Sequence, residues 1–320
     1  MGGSESRTDG LPQRLQALID AGQQRRTKGY CGRFAPTPSG PLHRGNLRTA
    51  LISWLAARLH NGSWRLRIDD LDTPRLRPGA IEAALADLRW LGLDWDGPVI
   101  LQSERRGLYH TVLSHWRCTG KVYACRCSRR QLSRQRLYSG FCRDRQRGWG
   151  WEQQRLPAWR LRVAGEFAER CGDPVVRRAD GYIAYHLATA FDELALGISD
   201  VVRGADLAPV QTVQEAVIAA MGPISPPRYQ HVPLLCDTQG MKLSKRDGSQ
   251  GLPPRNERPA TAEAEVGRLA SGLQLIPPGN ELSAQDLLQH LRLRPELFPY
   301  PMSPDSSQSL RDHSGQTTPH

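Results

Sequence analysis

Arg33-Phe34-Ala35-Pro36-Thr37-Pro38-Ser39-Gly40-Pro41-Leu42-His43-Arg44-Gly45-Asn46 decides how this 320-residue chain is read. It is the end of a strand, a stiff loop and the start of a helix. The prolines and Gly40 set the path of the loop and cannot continue a strand. From Leu47 the apolar positions fall at 47, 50, 51, 54 and 55, which is one face of a helix. The mouth of that helix is polar, and its free backbone N–H groups and dipole favour a phosphate. His43 and Asn46 are three apart and can face one ligand. Gly45 between them lets a flat ring or a phosphate come close.

A second stretch answers from far down the chain: Lys242-Leu243-Ser244-Lys245-Arg246. Of 43 basic residues only Lys28, Lys121, Lys242 and Lys245 are lysine, so two of four sit in one pentapeptide. In an arginine-rich chain that choice suggests compact, mobile point charges, although a solvated basic turn carries the same letters. Together, in this order and at this separation, the two stretches resemble the HIGH and KMSKS motifs of class I aminoacyl-tRNA synthetases. The segment from Arg33 to His43 resembles the glutamyl branch in particular.

Net charge is +11 and the isoelectric point is near 9.7, which favours a polyanionic partner such as nucleic acid. No apolar run approaches the ~20 residues of a membrane span, and the polar N-terminus has no apolar signal core. Seven cysteines, an odd number, argue for reduced thiols or metal ligands. A cytoplasmic protein is expected, with no membrane partner.

Residues 1–28 read as an N-terminal extension with a short helix around Leu11, Leu15, Leu18 and Ile19. Gly29 to Phe34 is the first strand, and the helix after the loop runs to Leu59 and stops at Asn61-Gly62. Trp64 to Ile68 alternates as a strand should and ends in Asp69-Asp70-Leu71-Asp72. Acids at a strand end fit the ligand side of an open α/β sheet; for Asp70 and Asp72 a capping or solvated turn fits equally. A helix spans Pro78 to Leu91, and Ser103 is placed to cap the helix carrying Leu108, Val112, Leu113 and Trp116. This alternation predicts an α/β fold, a Rossmann-like doubly wound parallel sheet, with residues 29–121 as its first half. Asp180-Gly181 predicts a hairpin between Val175–Arg178 and Tyr182–Leu187, and 182–188 alternates as a strand. A helix over 209–221 and a strand from His231 lead to the lysine loop, so 174–250 is the second half. Residues 251–300 read as a short helical region and 301–320 as a disordered tail.

Between the halves, residues 122–173 form an insertion. Cys125-x-Cys127 is followed, with ten residues between, by Tyr138 and, after three more, by Cys142. Thiolates at this spacing can close on a tetrahedral Zn²⁺. Tyr138 is an unusual fourth ligand, but Zn²⁺ lowers the pKa of a bound oxygen acid; His110 and His115 are the outside candidates. An arginine-rich segment with so little apolar mass needs such a staple. Cys31, Cys118, Cys171 and Cys236 are isolated and read as small core residues. Arg126, Arg129, Arg130, Arg134, Arg136, Arg143, Arg145 and Arg147 read as a surface for phosphates.

What the resemblance implies comes residue by residue. Tyr185 falls in the family's Tyr-x-x-Ala/Ser stretch, and Ile198-Ser199-Asp200-Val201-Val202-Arg203-Gly204-Ala205-Asp206 matches its Ile-x-x-Val-x-Arg-Gly-x-Asp. By resemblance, Arg203 grips the side-chain carboxylate of glutamate, Tyr185 lines the pocket, and Asp69 takes the place of a glutamate that contacts the amino acid, one methylene shorter here. Arg33, Phe34, Ala35, Pro36 and Thr37 complete the glutamate site. His43, Gly45 and Asn46 hold ATP phosphates, with Lys242 and Lys245 closing over them. The implied reaction makes glutamyl-AMP from glutamate and ATP with Mg²⁺, then passes glutamate to RNA. Only 74 residues follow Arg246, where the full-length enzymes carry a large helical domain. Together with the compact cysteine insertion, this resembles the shortened relatives that attach glutamate to the queuosine base in the anticodon loop of tRNA(Asp). Two alternatives stay open: a minimal ligase charging another tRNA or an amine, and a zinc-stabilised RNA-binding module without catalysis. The expected partners are tRNA, L-glutamate and ATP, acting on a monomer.

Overall fold

The computed structural model describes residues 10–133, 137–145, 147–233, 253, 257–258 and 260–299. The Lys242–Arg246 loop, Cys236, Arg134, Arg136, the first nine residues and the tail from 301 lie outside the described residues. The first half runs α1 (Gln13–Arg26), β1 (Cys31–Phe34), α2 (Arg44–Leu59), β2 (Ser63–Ile68), α3 (Ala80–Trp90), β3 (Ile100–Leu101) and α4 (Arg106–Cys118). The insertion holds β4 (Val122–Cys125), α5 (Arg129–Leu132), β5 (Ala158–Leu161), α6 (Glu166–Cys171) and β6 (Val175–Arg177), whose antiparallel pairing with β5 carries it past the boundary expected at 173. The second half holds α7 (Tyr185–Ala195), β7 (Asp200–Gly204), α8 (Gln211–Met221) and β8 (Arg228–Val232), followed by α9 (Ala262–Ser271) and α10 (Ala284–Leu293).

Strands β1, β2 and β3 pair in parallel, with Cys31 opposite Ser63 and Arg67 opposite Ile100. Strands β7 and β8 are also parallel. The Ser199 N–H donates to the Cys31 carbonyl at 2.9 Å, which brings β7 alongside β1. Helices cover both sides, so the doubly wound parallel arrangement is present. One core holds Phe34, Trp64, Leu66 and Val202 against α2, α3, α9 and α10. The other joins α1, α4, α7 and α8 to the insertion through Ile19, Trp116, Phe191 and Val217.

Strand periodicity explains what faces the second side. Phe34, Trp64, Leu66 and Val202 point into the first core. Their neighbours Arg33, Arg67 and Arg203 therefore point the other way, toward α7, and all three are buried. Three arginines on one buried sheet face need partners, and those partners build the site.

Several local expectations are corrected. Helix α1 is built into the fold: Leu15 and Ile19 are in the second core, and Arg25 donates to the carbonyls of Ala195 and Leu196. A Cβ on Gly22 would come within 1.9 Å of the Leu194 carbonyl, so only glycine lets α1 sit this close to α7. The turn at Asp180-Gly181 forms, but the second strand shrinks to one bridge between Arg177 and Ile183, and Tyr185 already begins α7. The alternation ends at Ala184: Tyr185 and His186 are part-exposed in the first turn of a helix whose residues Leu187 to Ala195 are buried throughout, so packing and not period decided the element. Ser103 does not cap α4; its N–H and Oγ donate to Asp70 at 2.7 and 2.5 Å. Asp72 meets Arg178 at 3.2 Å, so both Asp70 and Asp72 act as loop ties. Cys31 is buried as expected and Cys171 partly so, but Cys118 is exposed.

Candidate active site

The loop after β1 is stitched down at both ends. The Asp69 N–H donates to the Pro36 carbonyl and the Arg77 N–H to the Pro38 carbonyl, each at 3.0 Å. His43 caps α2: its Nδ1 accepts the Asn46 N–H at 3.2 Å, and the Asn46 Oδ1 accepts the His43 N–H at 3.3 Å. This reciprocal capping box holds both side chains at the helix mouth. Accepting at Nδ1 places the proton of the neutral ring on Nε2. Gly45 also answers a local need. A Cβ there would lie 2.9 Å from the His43 ring, so the bare backbone makes room for the imidazole of the cap. Arg44 pairs with Glu265 at 2.8 Å, fixing the first turn of α2 to α9.

Arg33 and Arg203 stand near each other on the buried sheet face but differ in partners. The Arg33 Nε and Nη2 donate to the Glu193 Oε1 at 3.2 and 3.1 Å, and its Nη1 to the Val202 carbonyl at 3.2 Å. Its charge is thus balanced by a fully buried carboxylate on α7. The Arg203 Nε donates to the His231 Nε2 at 3.2 Å, and its Nη1 to the Gln214 Oε1. Its guanidinium carbon lies 4.5 Å from the centre of the Tyr229 ring. Among the described residues Arg203 has no ion pair, and its buried Nη2 has no hydrogen-bond partner. Burial lowers its pKa, with Arg33 adding to that and Tyr185 and Glu193 opposing it. A ligand carboxylate here would receive a charge-assisted, two-bonded grip.

Asp69 is reached from its own strand. The Arg67 Nε and Nη2 donate to its two oxygens at 2.7 and 3.2 Å. Burial pushes the Asp69 carboxyl above its ordinary range, against the pull of Arg67 and Arg33. Arg67 is 1% exposed; burial opposes its charge, and Asp69 with Asp192 more than offsets that. Tyr185, half-buried at the first position of α7, is raised by burial and then by Asp69, with Arg33 opposing. So Arg33, Asp69, Tyr185 and Arg203 are gathered around the start of α7. Phe34 is different: its ring lies in the first core, stacked on Trp64 at 6.2 Å, and its side chain faces away from the site.

The residues missed by sequence reading are the ones that hold this set in place. Asp192 accepts from the Gln102 Nε2 at 3.0 Å, the Arg105 Nε at 2.7 Å and the Tyr109 hydroxyl at 2.7 Å. Glu193 holds Arg33, Gln214 and His231 hold Arg203, and Arg67 holds Asp69. One signal was present: Asp192-Glu193 are adjacent acids inside an otherwise apolar helical run.

The cysteine cluster forms as the spacing predicted. The sulfurs of Cys125, Cys127 and Cys142 lie within 4.8 Å of one another, and those of Cys127 and Cys142 are 3.6 Å apart. The Tyr138 hydroxyl is 3.4 Å from the Cys125 sulfur and 3.8 Å from that of Cys127. Thiolates bound to one tetrahedral zinc at ~2.3 Å sit roughly 3.8 Å apart, so this donor set fits such an ion. Burial and Cys142 raise the Cys127 thiol to about 11. Among the described residues neither His110 nor His115 joins the group. The arginines around it divide. Arg126 donates to the carbonyls of Arg155, Gly148 and Gly150 and meets Glu152 at 3.0 Å. Arg143 meets Asp173 and donates to the Val163 carbonyl at 2.9 Å. Both are internal ties and not phosphate groups; Arg130, Arg145 and Arg147 are exposed.

The family of class I tRNA synthetases (E and Q), catalytic domain, matches residues 31–150 and 151–253. A protein of Synechococcus sp. named glutamyl-Q tRNA(Asp) synthetase is 59% identical over 282 residues, 88% of this chain and 96% of that one. One of the same name from Nocardia farcinica is 41% identical over 81% of this chain and 89% of its own length. Among solved structures, a glutamate tRNA ligase from Elizabethkingia meningosepticum, in complex with its amino acid, has a TM-score of 0.64 and 26% identity. That match covers 81% of this chain and 64% of the ligase.

Proposed function

The chain belongs to the class I glutamyl- and glutaminyl-tRNA synthetase family, in its glutamyl-Q tRNA(Asp) group, and on that premise we propose that it activates L-glutamate with ATP and transfers it to the queuosine base in the anticodon loop of tRNA(Asp). The observation that carries the reading is Arg203: a buried guanidinium with an unpartnered Nη2 and no carboxylate among the described residues. An acidic amino acid supplies what it lacks. Glutamate's side-chain carboxylate sits on Arg203, with Tyr185, Asp69 and the loop from Arg33 to Thr37 around the rest. Arg33 acts with Glu193 as a neutral pair, so it shapes the pocket and leaves Arg203 as its uncompensated charge.

Activation joins glutamate's α-carboxylate to the α-phosphorus of ATP, and pyrophosphate leaves. The mouth of α2, with His43 and Asn46 in their capping box, offers N–H groups and a dipole to the phosphates. Lys242 and Lys245, outside the described residues, are the proposed cations for the leaving charge, and Mg²⁺ accompanies ATP. In the second step a hydroxyl oxygen of the modified base attacks the carbonyl carbon of glutamyl-AMP. An ester bond forms, the bond to phosphate breaks, and AMP leaves with the hydroxyl proton. No covalent enzyme intermediate is needed, so positioning and charge stabilisation do the work. Cys125, Cys127, Cys142 and Tyr138 are the proposed holders of one structural Zn²⁺, which would brace a segment poor in apolar mass. Among the described residues no helix is long and apolar enough to cross a membrane; the use of ATP and tRNA and the free thiols support a cytoplasmic setting, and the oligomeric state proposed is a monomer.

Radiolabelled glutamate tests the reading, offered with ATP to tRNA(Asp) with and without queuosine and to tRNA(Glu). Labelling confined to queuosine-bearing tRNA(Asp) is expected. Labelling of tRNA(Glu) would make the protein a minimal glutamyl-tRNA synthetase. Absence of glutamate-dependent pyrophosphate exchange would leave only an RNA-binding module.

A further inference from the structure

A cavity of about 320 Å³ opens beside the glutamate site, and none of its lining residues belongs to the machinery described above. Its floor is Leu71 and Ile183, each 8% exposed. Tyr182 forms a wall, and exposed His110, Arg106 and Asp180 form a rim. Leu71 is two residues past Asp69, and Ile183 is two before Tyr185. At no more than ~3.6 Å of chain per residue, the cavity lies within roughly 7 Å of chain from two residues of the proposed glutamate site. The Tyr182 hydroxyl and the Thr73 Oγ1 are 2.7 Å apart, which ties the Tyr182 wall to the loop that carries Leu71.

We infer that this cavity receives the acceptor base, taking its flat ring against Tyr182 and its hydroxylated, cationic arm at the Asp180–His110 rim; the inference rests on the function proposed above. The position fits: the nucleophilic hydroxyl has to meet the carbonyl carbon of glutamyl-AMP, next to Asp69 and Tyr185. The size fits as well, since pockets for small ligands begin near 300 Å³. An apolar floor with an aromatic wall suits an unstacked base. Arg178 stands 5.5 Å from the Tyr182 ring centre and meets Asp180, so the ring and the carboxylate are braced by one guanidinium. Queuosine carries a cyclopentenediol joined through a secondary amine, protonated at neutral pH. A carboxylate suits both that ammonium and the diol. Partial burial and the nearby charges of Arg177 and Arg106 lower the His110 pKa, which favours the neutral ring, with one donor and one acceptor to offer a diol. A guanine without the arm would leave these groups unanswered, which is how a site rejects a partner lacking a polar group.

The test uses the full chain with three variants: Asp180→Asn, Tyr182→Ala and Tyr182→Phe. Glutamate-dependent pyrophosphate exchange and transfer to queuosine-bearing tRNA(Asp) are measured side by side. Asp180→Asn and Tyr182→Ala are expected to keep wild-type exchange constants and to raise the KM for tRNA roughly ten- to hundredfold. Tyr182→Phe keeps the ring and is expected to keep transfer. Unchanged transfer in Asp180→Asn and Tyr182→Ala overturns the inference. So does a raised KM for ATP, which would give the cavity to the nucleotide. So does a Tyr182→Phe variant as poor as Tyr182→Ala, which would reduce Tyr182 to its bond with Thr73. If wild-type protein exchanges pyrophosphate but labels no queuosine-bearing tRNA, the function itself is wrong and the cavity assignment falls with it.

Discussion

Replacing Arg203 by methionine should abolish glutamate activation while leaving the fold as stable as before. Among the described residues the arginine is 3% exposed, bonds only to neutral acceptors and carries an unpartnered Nη2. Methionine keeps an apolar stem of similar length. It gives up two hydrogen bonds worth about 1 kcal/mol each. It also removes a buried cation without a counter-ion, whose desolvation costs several kcal/mol. The two effects oppose, so stability should stay within about 2 kcal/mol of wild type or rise. Bound glutamate loses a two-bonded charged contact, about 3–5 kcal/mol, or roughly 10²- to 10⁴-fold in kcat/KM. Arg67→Met is the control. Arg67 is equally buried but bonded to Asp69 and 3.9 Å from Asp192. Its loss strands the buried Asp69 carboxylate, while Asp192 keeps Arg105, Gln102 and Tyr109; the cost is about 3–5 kcal/mol and roughly 6–20 °C in Tm. Thermal unfolding and glutamate-dependent pyrophosphate exchange at saturating ATP separate the cases. If Arg203→Met exchanges within tenfold of wild type, or loses as much Tm as Arg67→Met, the carboxylate grip assigned to Arg203 is wrong.

Metal analysis of protein purified without chelator should find about one zinc per chain, and Cys142→Ser should lower that content; a metal-free wild type would end the zinc reading. His186 is half-buried with a buried Nδ1 that has no partner among the described residues, and burial with the Arg203 charge lowers its pKa to about 4. Its folded pKa lies below the unfolded 6.5, so the stability it contributes is present above pH 6.5 and lost as pH falls toward 4, roughly 3 kcal/mol in all. Urea midpoints of His186→Gln should therefore fall less than wild type between pH 7 and 4; parallel slopes would contradict this. Gly22→Ala should destabilise although helix propensity favours alanine by ~1 kcal/mol, because the methyl meets the Leu194 carbonyl. A higher Tm for this variant would mean that α1 does not dock as described.

What could be read locally was read from spacing. The loop and helix mouth of residues 33–46 are a contiguous unit whose prolines, cap and apolar face act within a few residues, and the cap formed where the polar cluster stood. The cysteine cluster was legible for the same reason, since Cys125, Cys127, Tyr138 and Cys142 are close in sequence and meet in space. Tyr185 shows the limit of periodicity: a short run of mostly apolar residues reads alike as strand or helix, and only the packing of α7 chose between them.

The partners of the buried charges belong to the tertiary structure alone. Arg33 meets Glu193 across 160 residues, and Asp192 gathers Gln102, Arg105 and Tyr109 from more than eighty residues away. Strand alternation places Arg33 and Arg203 alike on strands facing α7. One finds a carboxylate and the other is left with neutral acceptors. That difference makes one a pillar and the other a ligand group. It arises because a buried charge takes whatever the far side of the fold presents, and strand periodicity sets only the face on which it must look.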